Sequence, residues 1–512
     1  MRCLALLALF LAVLAARPAH ADWRVAETAH FIVYANASEA ALRRNAERLE
    51  KFDKALRVSR GILEPSLGKA GRLTVYFVGS KHRVAALAGT ANVAGFYIPR
   101  AGASVAFVPD DLFGDGPLAL GSQQVLQHEY AHHFMATTWP NAAFPSWVSE
   151  GWAEFHATAS FDREGNLQFG GAPLYRAHGL LTGNPLPIQQ ILAGAAGKLR
   201  ADQRDALYGR GWALVHYLTF APSRKGQLSA YLDAITKERK SPEAAAAAFG
   251  DLGALNKELG RFLQQPKITG FRIRAENLAI PPVTLRLLRP GEAAILPLRI
   301  RSDAGVDEKT APGVYAEAKK IATRFPDDPA VQRALAEAAY DAGDYAAALA
   351  AADRAIAADP KLVEAHCYRA MAQMALAAAA KDDKPETWTA IRQTIGRANR
   401  LNTEDPRPLI LFYRSYAERR QWPPQIARDG LMHAYALAPQ DRGLRMQVAG
   451  MLVGEKKLAE ARAMLLVLTY DPHASGIGAA ASKMIDTIDA QTKAGAAPAS
   501  APSPSPTPTR TN

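Results

Sequence analysis

The chain has 512 residues, more than one ordinary hydrophobic core organises, so we expect two or three domains. Hydrophobic residues make up 49% and charged residues 21%, which is normal for a soluble globular protein. The net charge of +12 either reflects solubility alone or attracts anionic surfaces such as lipid headgroups, cell-wall polymers or acidic substrates, and without a nucleic-acid motif we expect no nucleic-acid partner.

The N-terminus has the pattern of a secretory signal. Arg2 is followed by an apolar run over residues 3–16, too short to span a membrane, and Ala19 and Ala21 form an A-x-A cleavage site. We expect cleavage after Ala21 and a periplasmic or secreted chain, with an uncleaved anchor as the alternative. No other apolar run approaches about 18 residues, so no transmembrane span is expected. The mature chain keeps one cysteine, Cys367, and so cannot form an internal disulfide.

The segment after the signal predicts a small mixed sheet and one helix. Alternating apolar and β-branched residues predict strands, the last two joined as a hairpin, at residues 28–34, 73–78, 95–98 and 104–108. Ser38 is expected to cap a long helix that ends near Arg60.

Two helices separated by prolines follow. Ser122 could cap the first, which should run to about Thr137, and Ser146 should restart the chain as the second after Pro140 and Pro145. Residues beyond them are glycine-rich and could border a cleft. An amphipathic helix starts at Tyr208, and further helices lead to about Gln265. Residues 266–311 predict a small β-rich connector with strands near 271–273, 283–287 and 294–298.

Residues 312–490 are alanine-rich and helical, with a repeat. Residues 329–360 carry the small residues, the Gly343-Asp344-Tyr345 turn and the final proline of a 34-residue tetratricopeptide (TPR) unit. Looser units end near Pro406, Pro439 and Pro472. A generic alanine-rich helical bundle is the alternative. Residues 491–512 contain almost no large apolar residue and predict a disordered tail.

The chemistry is concentrated in an H-E-x-x-H motif, His128–His132. Four residues apart on a helix, His128 and His132 lie on one face and can bind one metal ion. Glu129 would flank the metal, where a carboxylate can take a proton from metal-bound water. His133 is turned about 100° from that face, so we expect it to support the structure.

A third ligand is needed, because a catalytic zinc usually has three protein ligands and one open position. Glu150 is the candidate, near the start of the next helix. Glu154 lies one turn further on and is placed to hydrogen-bond the distal nitrogen of a ligand histidine. Gly151 would let the helices approach closely. The pattern therefore predicts one Zn²⁺ and a hydrolytic site.

These residues, His128–His132 and Pro145–Phe155, resemble the gluzincin metallopeptidases, which include aminopeptidase-N and thermolysin-like families. The resemblance covers about residues 22–265. It implies a thermolysin-like α+β domain in which zinc is bound by the two histidines and Glu150, with Glu129 as general base and acid.

Two further roles follow from the resemblance. Ser104–Val108 would be the edge strand that pairs with the substrate backbone. Tyr208 would steady the oxyanion, although a core tyrosine is the alternative. The chain departs from the family in three ways. The spacing to Glu150 is one residue shorter than in the aminopeptidases, no Gly-x-Met-Glu-Asn motif precedes His128, and repeats replace the thermolysin-like C-terminal domain. Aminopeptidase activity is therefore not expected.

We thus expect an α+β gluzincin-like catalytic domain, a β connector and an all-α TPR solenoid. The expected function is an exported zinc metallopeptidase that acts on a peptide or protein substrate, with repeats that bind a protein partner or a substrate segment. The alternative is a periplasmic TPR-based binding or scaffold protein with a catalytically idle zinc domain. A third possibility keeps hydrolysis but directs it at an amide bond in cell-wall peptides. The expected segments are 1–21, 22–265, 266–311, 312–490 and 491–512.

Overall fold

The computed structural model describes most of the chain between Trp23 and Ala496. The described ranges are 23–63, 71–91, 93–110, 120–182, 186–192, 199–237 and 240–496. The expected signal peptide and its cleavage after Ala21 lie outside these residues, as does the expected tail beyond Ala496. No helix within these ranges is both long enough and apolar enough to cross a membrane.

A six-stranded mixed sheet forms the centre of the first half. Its strands are β1 (Trp23–Glu27), β2 (Phe31–Asn36), β3 (Leu73–Phe77), β4 (Phe96–Ile98), β5 (Val105–Val108) and β9 (Thr284–Leu287). A second, antiparallel sheet contains β6 (Ser160–Phe161), β7 (Leu167–Phe169) and β8 (Phe271–Ile273). The order of the large sheet is β4-β5-β3-β2-β1-β9, with parallel β2–β3 and β3–β5 pairs. The β4–β5 hairpin is as predicted, whereas β1 was not predicted.

The helices described between Glu39 and Leu263 pack against the sheets or against one another. They are α1 (Glu39–Arg60), α2 (Lys81–Ala88), α3 (Ser122–Thr138), α4 (Ser146–Ala157), α5 (Ile188–Leu192), α6 (Ala201–Phe220), α7 (Gln227–Thr236), α8 (Ser241–Phe249) and α9 (Leu252–Leu263). Ser38 caps α1 as predicted, because its side chain accepts from the Ala41 N–H. Ser122 does not cap α3: it is the first helical residue, and Gly121 precedes it as the cap. Helix α6 begins well before its predicted start at Tyr208.

The two faces of the sheet bury alternate residues of each strand. Val33 and Val75 join the core beneath α1 and α3, where they share a cluster with Phe52. Their neighbours Tyr34 and Tyr76 point to the opposite face. This period of two is the pattern of a strand buried on both sides. The apolar residues on one face of the sheet therefore pack against α3, the helix that carries the H-E-x-x-H motif.

Helix α10 (Pro290–Ala304) replaces the strand predicted over residues 294–298, so that prediction was wrong. Leu296 packs against the sheet, while its neighbour Ile295 packs against the helices that follow. A helix buried on two sides has a nearly continuous apolar sequence, which cannot be told from a strand by periodicity alone. Helix α10 therefore joins the first half of the chain to the repeats.

Residues 266–311 extend earlier sheets instead of standing as a separate connector. Strand β8 pairs with β7, and β9 pairs with β1, both antiparallel. The first half of the chain is thus completed only by residues after Gln265.

The alanine-rich part consists of paired helices. They are α11 (Ala311–Arg324), α12 (Pro329–Asp341), α13 (Tyr345–Ala358), α14 (Val363–Ala379), α15 (Pro385–Leu401), α16 (Pro406–Ala417), α17 (Gln425–Leu437), α18 (Arg442–Gly454), α19 (Leu458–Tyr470) and α20 (Ser475–Ala496). The predicted turn lies between α12 and α13, where Gly343 has a φ of 81° and Asp344 caps α13. Helix α20 extends to Ala496, so residues 491–496 are helical and the predicted tail began too early.

The repeats dock on the hairpin turn between β4 and β5, residues 99–104, which we call the docking turn. The backbone N–H of Ala101 donates to Asp441 at 2.7 Å. The Gln440 amide donates to the carbonyl of Arg100 at 3.2 Å and lies 3.3 Å from the Ser104 hydroxyl. These contacts place the turn before α18 beside the edge of the large sheet.

Candidate metal centre

Helix α3 presents its histidines on the side away from the sheet. Tyr130 and Phe134 are buried in the core beneath the helix. His128 and His132, one turn apart, point instead into a cavity, and their side chains are 12% and 9% exposed. The apolar residues thus fix the orientation of the helix, and that orientation brings both imidazoles to one place.

Three ligand atoms converge there. The Nε2 atoms of His128 and His132 lie 3.1 Å apart. Glu150 Oε2, on α4, is 3.3 Å from the first and 3.5 Å from the second. A tetrahedral zinc ion with bonds of roughly 2.0–2.1 Å keeps its ligand atoms about 3.3 Å apart. The residues therefore fit one zinc ion in donor type and in spacing.

The Glu150 carboxylate is buried and one of its oxygens is unsatisfied. The residue is 1% exposed, and Oε2 has no hydrogen-bond partner among the described residues. Burial alone would raise the pKa of Glu150, yet the neighbouring His132 and His473 lower it well below its ordinary value. A buried, ionised oxygen without a hydrogen-bond donor is a favourable position for a cation, and this supports Glu150 as a candidate metal ligand.

Both histidines have a partner at the nitrogen that faces away from Glu150. His128 Nδ1 lies 3.5 Å from Glu154, which is fully buried. His132 Nδ1 lies 3.3 Å from the Ser149 hydroxyl. Such partners orient an imidazole and select its tautomer. Glu154 therefore lies where the spacing placed it, whereas Ser149 was not predicted.

Glu154 is itself held by residues that the sequence did not point to. It accepts a hydrogen bond from the Tyr175 hydroxyl at 2.7 Å and forms an ion pair with Arg176 at 2.8 Å. Arg176 also pairs with Asp205 of α6 at 2.8 Å. Tyr175 and Arg176 belong to a short helical turn within a glycine-rich segment, where no period identifies functional side chains.

The cavity above the site has a volume of about 820 Å³, within the usual range for a ligand site. Glu129 and Tyr208 both line it. The Tyr208 ring stacks on His128 with centroids 5.8 Å apart. The negative charge of Glu150 and burial raise the pKa of Tyr208 well above its ordinary value, so its hydroxyl stays protonated and can donate. Tyr208 is thus a lining residue of the site.

The substrate-pairing edge expected at Ser104–Val108 is wrong. Strand β5 lies inside the sheet between β3 and β4, so both of its edges are paired. Among the described residues, β4 is the terminal strand at this end of the sheet, and its Phe96 and Tyr97 line the cavity. The Tyr97 hydroxyl lies 2.9 Å from His133 Nδ1, which gives His133 a structural contact away from the metal ligands. Burial lowers the pKa of His133 to about 3, so this imidazole is neutral.

His473 reaches the site from the repeats, in the turn between α19 and α20. Its Nε2 lies 3.0 Å from Glu150 Oε1, and its ring meets that of His132 edge-on at 5.1 Å. Burial alone would lower the pKa of His473, but the charges of Glu150 and Asp471 raise it to about 9. No sequence signal could have found this residue, because it lies more than 300 positions from the motif.

Two glycines allow α4 and α6 to touch behind the site. A Cβ added to Gly151 would lie 2.3 Å from the carbonyl of Gly211. A Cβ added to Gly211 would lie 2.7 Å from the Trp147 carbonyl oxygen. Because Gly151 follows Glu150 directly, the spacing of these helices also sets the position of the carboxylate.

Gly151→Ala is expected to destabilise the chain by about 1–3 kcal/mol and to weaken zinc binding, because the methyl group forces α4 away from α6. Gly260→Ala is the matched control, since a Cβ there meets nothing within 4 Å and a helical alanine is stabilising by about 0.5–1 kcal/mol. Thermal unfolding and zinc titration of both variants test this. A Gly151→Ala protein with unchanged Tm and zinc affinity would contradict it.

A second group of acidic and histidine side chains lies beneath α3. His30 Nδ1 is 2.6 Å from Glu50, and Asp53 accepts from Arg57 at 2.8 Å and from Tyr130 at 2.5 Å. These carboxylates are already paired with hydrogen-bond donors, so the group is a buried polar network and not a second metal site. Through Tyr130 it anchors the helix that carries the metal-site histidines.

This network should make stability depend on pH. Burial alone would lower the pKa of His30, but the bond to Glu50 raises it above 6.5. Burial alone would raise the pKa of Glu50, but His30 lowers it below 4.5. The His30–Glu50 pair therefore stabilises the fold most between the lowered pKa of Glu50 and the raised pKa of His30. This stabilisation is lost as pH rises through the raised pKa of His30 or falls through the lowered pKa of Glu50.

Urea unfolding of wild type and His30→Gln across this range measures the effect. Between pH 4.5 and 6.5 we expect the free energy of unfolding of His30→Gln to be about 1–3 kcal/mol lower than that of wild type, and this difference should shrink at lower and higher pH. His82→Gln, at an exposed histidine, should show no such pH dependence. A His30→Gln difference that is constant with pH would refute the assignment.

The similarities to solved structures are with TPR proteins. No protein-family model matches the chain, and no curated protein matches it. A thermophilic TPR protein from Thermus thermophilus is 18% identical with a TM-score of 0.33, over 38% of this chain and 98% of that one. MamA from Desulfovibrio magneticus RS-1 is 12% identical with a TM-score of 0.26, over 40% and 97%. Yeast Tom70 is 11% identical with a TM-score of 0.28, over 62% and 67%.

None of these three proteins is described as a metallopeptidase. The TM-scores are all below 0.5, so the repeats are established by the paired helices α11–α20 themselves.

Proposed function

We propose that the chain is an exported zinc-dependent hydrolase of peptide bonds whose helical repeats bind a protein partner or a substrate segment. The observation that carries the proposal is the convergence of His128, His132 and Glu150, with the buried Oε2 of Glu150 lacking a donor among the described residues. Export rests on the sequence of residues 1–21 alone.

Each residue of the site has a part in this proposal. A bound zinc ion would lower the pKa of a water ligand to about 7 and polarise the substrate carbonyl. As the water attacks the peptide carbonyl, Glu129 on the cavity wall would take a proton from this water and give it to the leaving amine. The Tyr208 hydroxyl donates a hydrogen bond to the developing oxyanion. Glu154, fixed by Tyr175 and Arg176, keeps His128 in one tautomer and orientation.

Within the described residues the outer edge of β4 is unpaired, and this supports a peptide as the substrate. An extended chain can add to an exposed strand through backbone hydrogen bonds, which bind it without regard to its side chains. Phe96 and Tyr97 of β4 line the same cavity as Glu129. A peptide paired along β4 would therefore run past the metal site.

A binding or scaffold protein is the second candidate. The paired helices favour it, since such repeats build extended surfaces for other chains. In this case the metal site would stabilise the fold without turnover. Glu129 argues against an idle site, because a structural zinc needs no base and takes a fourth protein ligand.

The experiment compares metal content and hydrolysis of a broad peptide library for wild type and Glu129→Gln. We expect one zinc per chain in both and loss of activity by about 10²–10⁴-fold in the variant. Glu276→Gln, at an exposed glutamate, is the control and should be fully active. Zinc without turnover in wild type would support the binding protein, and wild type without zinc would reject both metal proposals.

A further inference from the structure

The metal centre contains a contact that comes from the repeats. His473 Nε2 lies 3.0 Å from Glu150 Oε1. The other carboxylate oxygen, Oε2, is the one that faces His128 and His132. The two oxygens of Glu150 therefore have separate neighbours: Oε2 faces two histidines of the first half of the chain, and Oε1 faces one histidine of the repeats.

The position of His473 is set by the repeats. Its backbone N–H donates to the Asp471 carboxylate at 2.8 Å. Asp471 is paired with Arg442, the first residue of α18. Arg442 directly follows Asp441, which holds the docking turn through Ala101. The same stretch of repeats that binds the docking turn therefore also fixes the turn that carries His473.

A second contact holds the two halves together near the cavity. Arg445 of α18 donates to the carbonyl of Pro140 at 2.6 Å, in the turn between α3 and α4. The two metal-ligand helices are thus linked to the repeats on the side where His473 enters. The His473 side chain is 45% exposed and lines the cavity.

We propose that His473 is a positioning residue for the third metal ligand, so that the repeats complete the metal centre. Its Nε2–H binds Oε1 of Glu150 and prevents the carboxylate from rotating, which leaves Oε2 directed at the histidines. This proposal rests on the proposed function, because it requires Glu150 to bind metal. It assigns the repeats a part in the site in addition to any binding of partners.

The test measures zinc affinity of the full-length chain by competition with a chromophoric chelator. We expect His473→Ala to bind zinc about 10–100-fold more weakly, the usual loss when an outer hydrogen-bond partner of a ligand is removed. His473→Gln keeps an N–H donor at similar reach and should recover most of that loss. His433→Ala, at an exposed histidine of α17, is the control and should bind zinc as wild type does.

A second measurement separates positioning from direct coordination. The visible absorption of Co²⁺ in the site reports the number and type of ligands. We expect its band positions in His473→Ala to keep the pattern of two imidazoles and a carboxylate. A change that shows the loss of a nitrogen ligand would make His473 a fourth ligand and overturn the proposal.

Two other results have distinct meanings. If wild type binds zinc and His473→Ala binds it equally well, the positioning role is refuted while the proposed function stands. If wild type binds no zinc, both the positioning role and the proposed function are refuted. An affinity loss that His473→Gln fails to recover would place the effect in packing of the turn and would also overturn the positioning role.

Discussion

His132→Ala is expected to abolish stoichiometric zinc binding and, with it, hydrolysis. The change removes one of three candidate ligand atoms that lie 3.1–3.5 Å from one another and leaves Oε2 of Glu150 facing only the imidazole of His128. The loss of affinity should exceed the roughly 10–100-fold that the loss of an outer partner costs. Metal analysis of the purified protein and a zinc titration measure it directly.

The neighbouring His133 provides a demanding control. His133→Ala changes the same helix one position away, but that side chain contacts Tyr97 and not the ligand atoms. It should cost stability and leave zinc stoichiometry intact. If both variants keep zinc, His132 is not a ligand, and if both lose it, the helix itself has been disrupted.

Shortening the chain to residues 23–265 is expected to yield an aggregated or unfolded protein. That end point removes β8 and β9, and so exposes the edges of β7 and β1. It also removes α10, whose Leu296 and Ile300 cover one face of the large sheet. Unpaired edges beside an uncovered apolar face are a template for association with other chains.

A chain of residues 23–304 is the matched comparison, because it restores both strands and α10. We expect it to remain soluble and to unfold cooperatively, whereas residues 23–265 should do neither. Soluble yield, size-exclusion elution and thermal unfolding of the two proteins make the comparison. Equal behaviour of both would mean that the added strands contribute little to the first half.

The convergence of His128, His132 and Glu150 could be predicted because local geometry determines it. The spacing of His128 and His132 fixes their common face on any helix, and a glutamate at the start of the next helix needs only a tight turn to reach them. The same reasoning failed at residues 294–298, where burial on both sides concealed the helical period. The edge strand that the resemblance implied at Ser104–Val108 is an inner strand, because the hairpin places β4 outside β5.

The residues around the ligands could not be predicted. Tyr175 and Arg176 lie in an irregular segment, and only tertiary packing brings them into contact with Glu154. His473 lies in the last turn of the repeats, and only docking of the two halves brings it to Glu150. The repeats themselves followed from their period, since the 34-residue spacing reflects one pair of helices.

The docking turn has a consequence for what the repeats can bind. Gln440 and Asp441 already bind Arg100 and Ala101, so any ligand for that surface competes with the chain's own hairpin. Its apparent affinity is reduced by the free energy of docking. By thermodynamic reciprocity, a molecule that fills the cavity and touches both walls opposes such a ligand, and the ligand opposes it equally. A ligand that displaces the docking turn and a molecule that touches both walls of the cavity would therefore be energetically coupled.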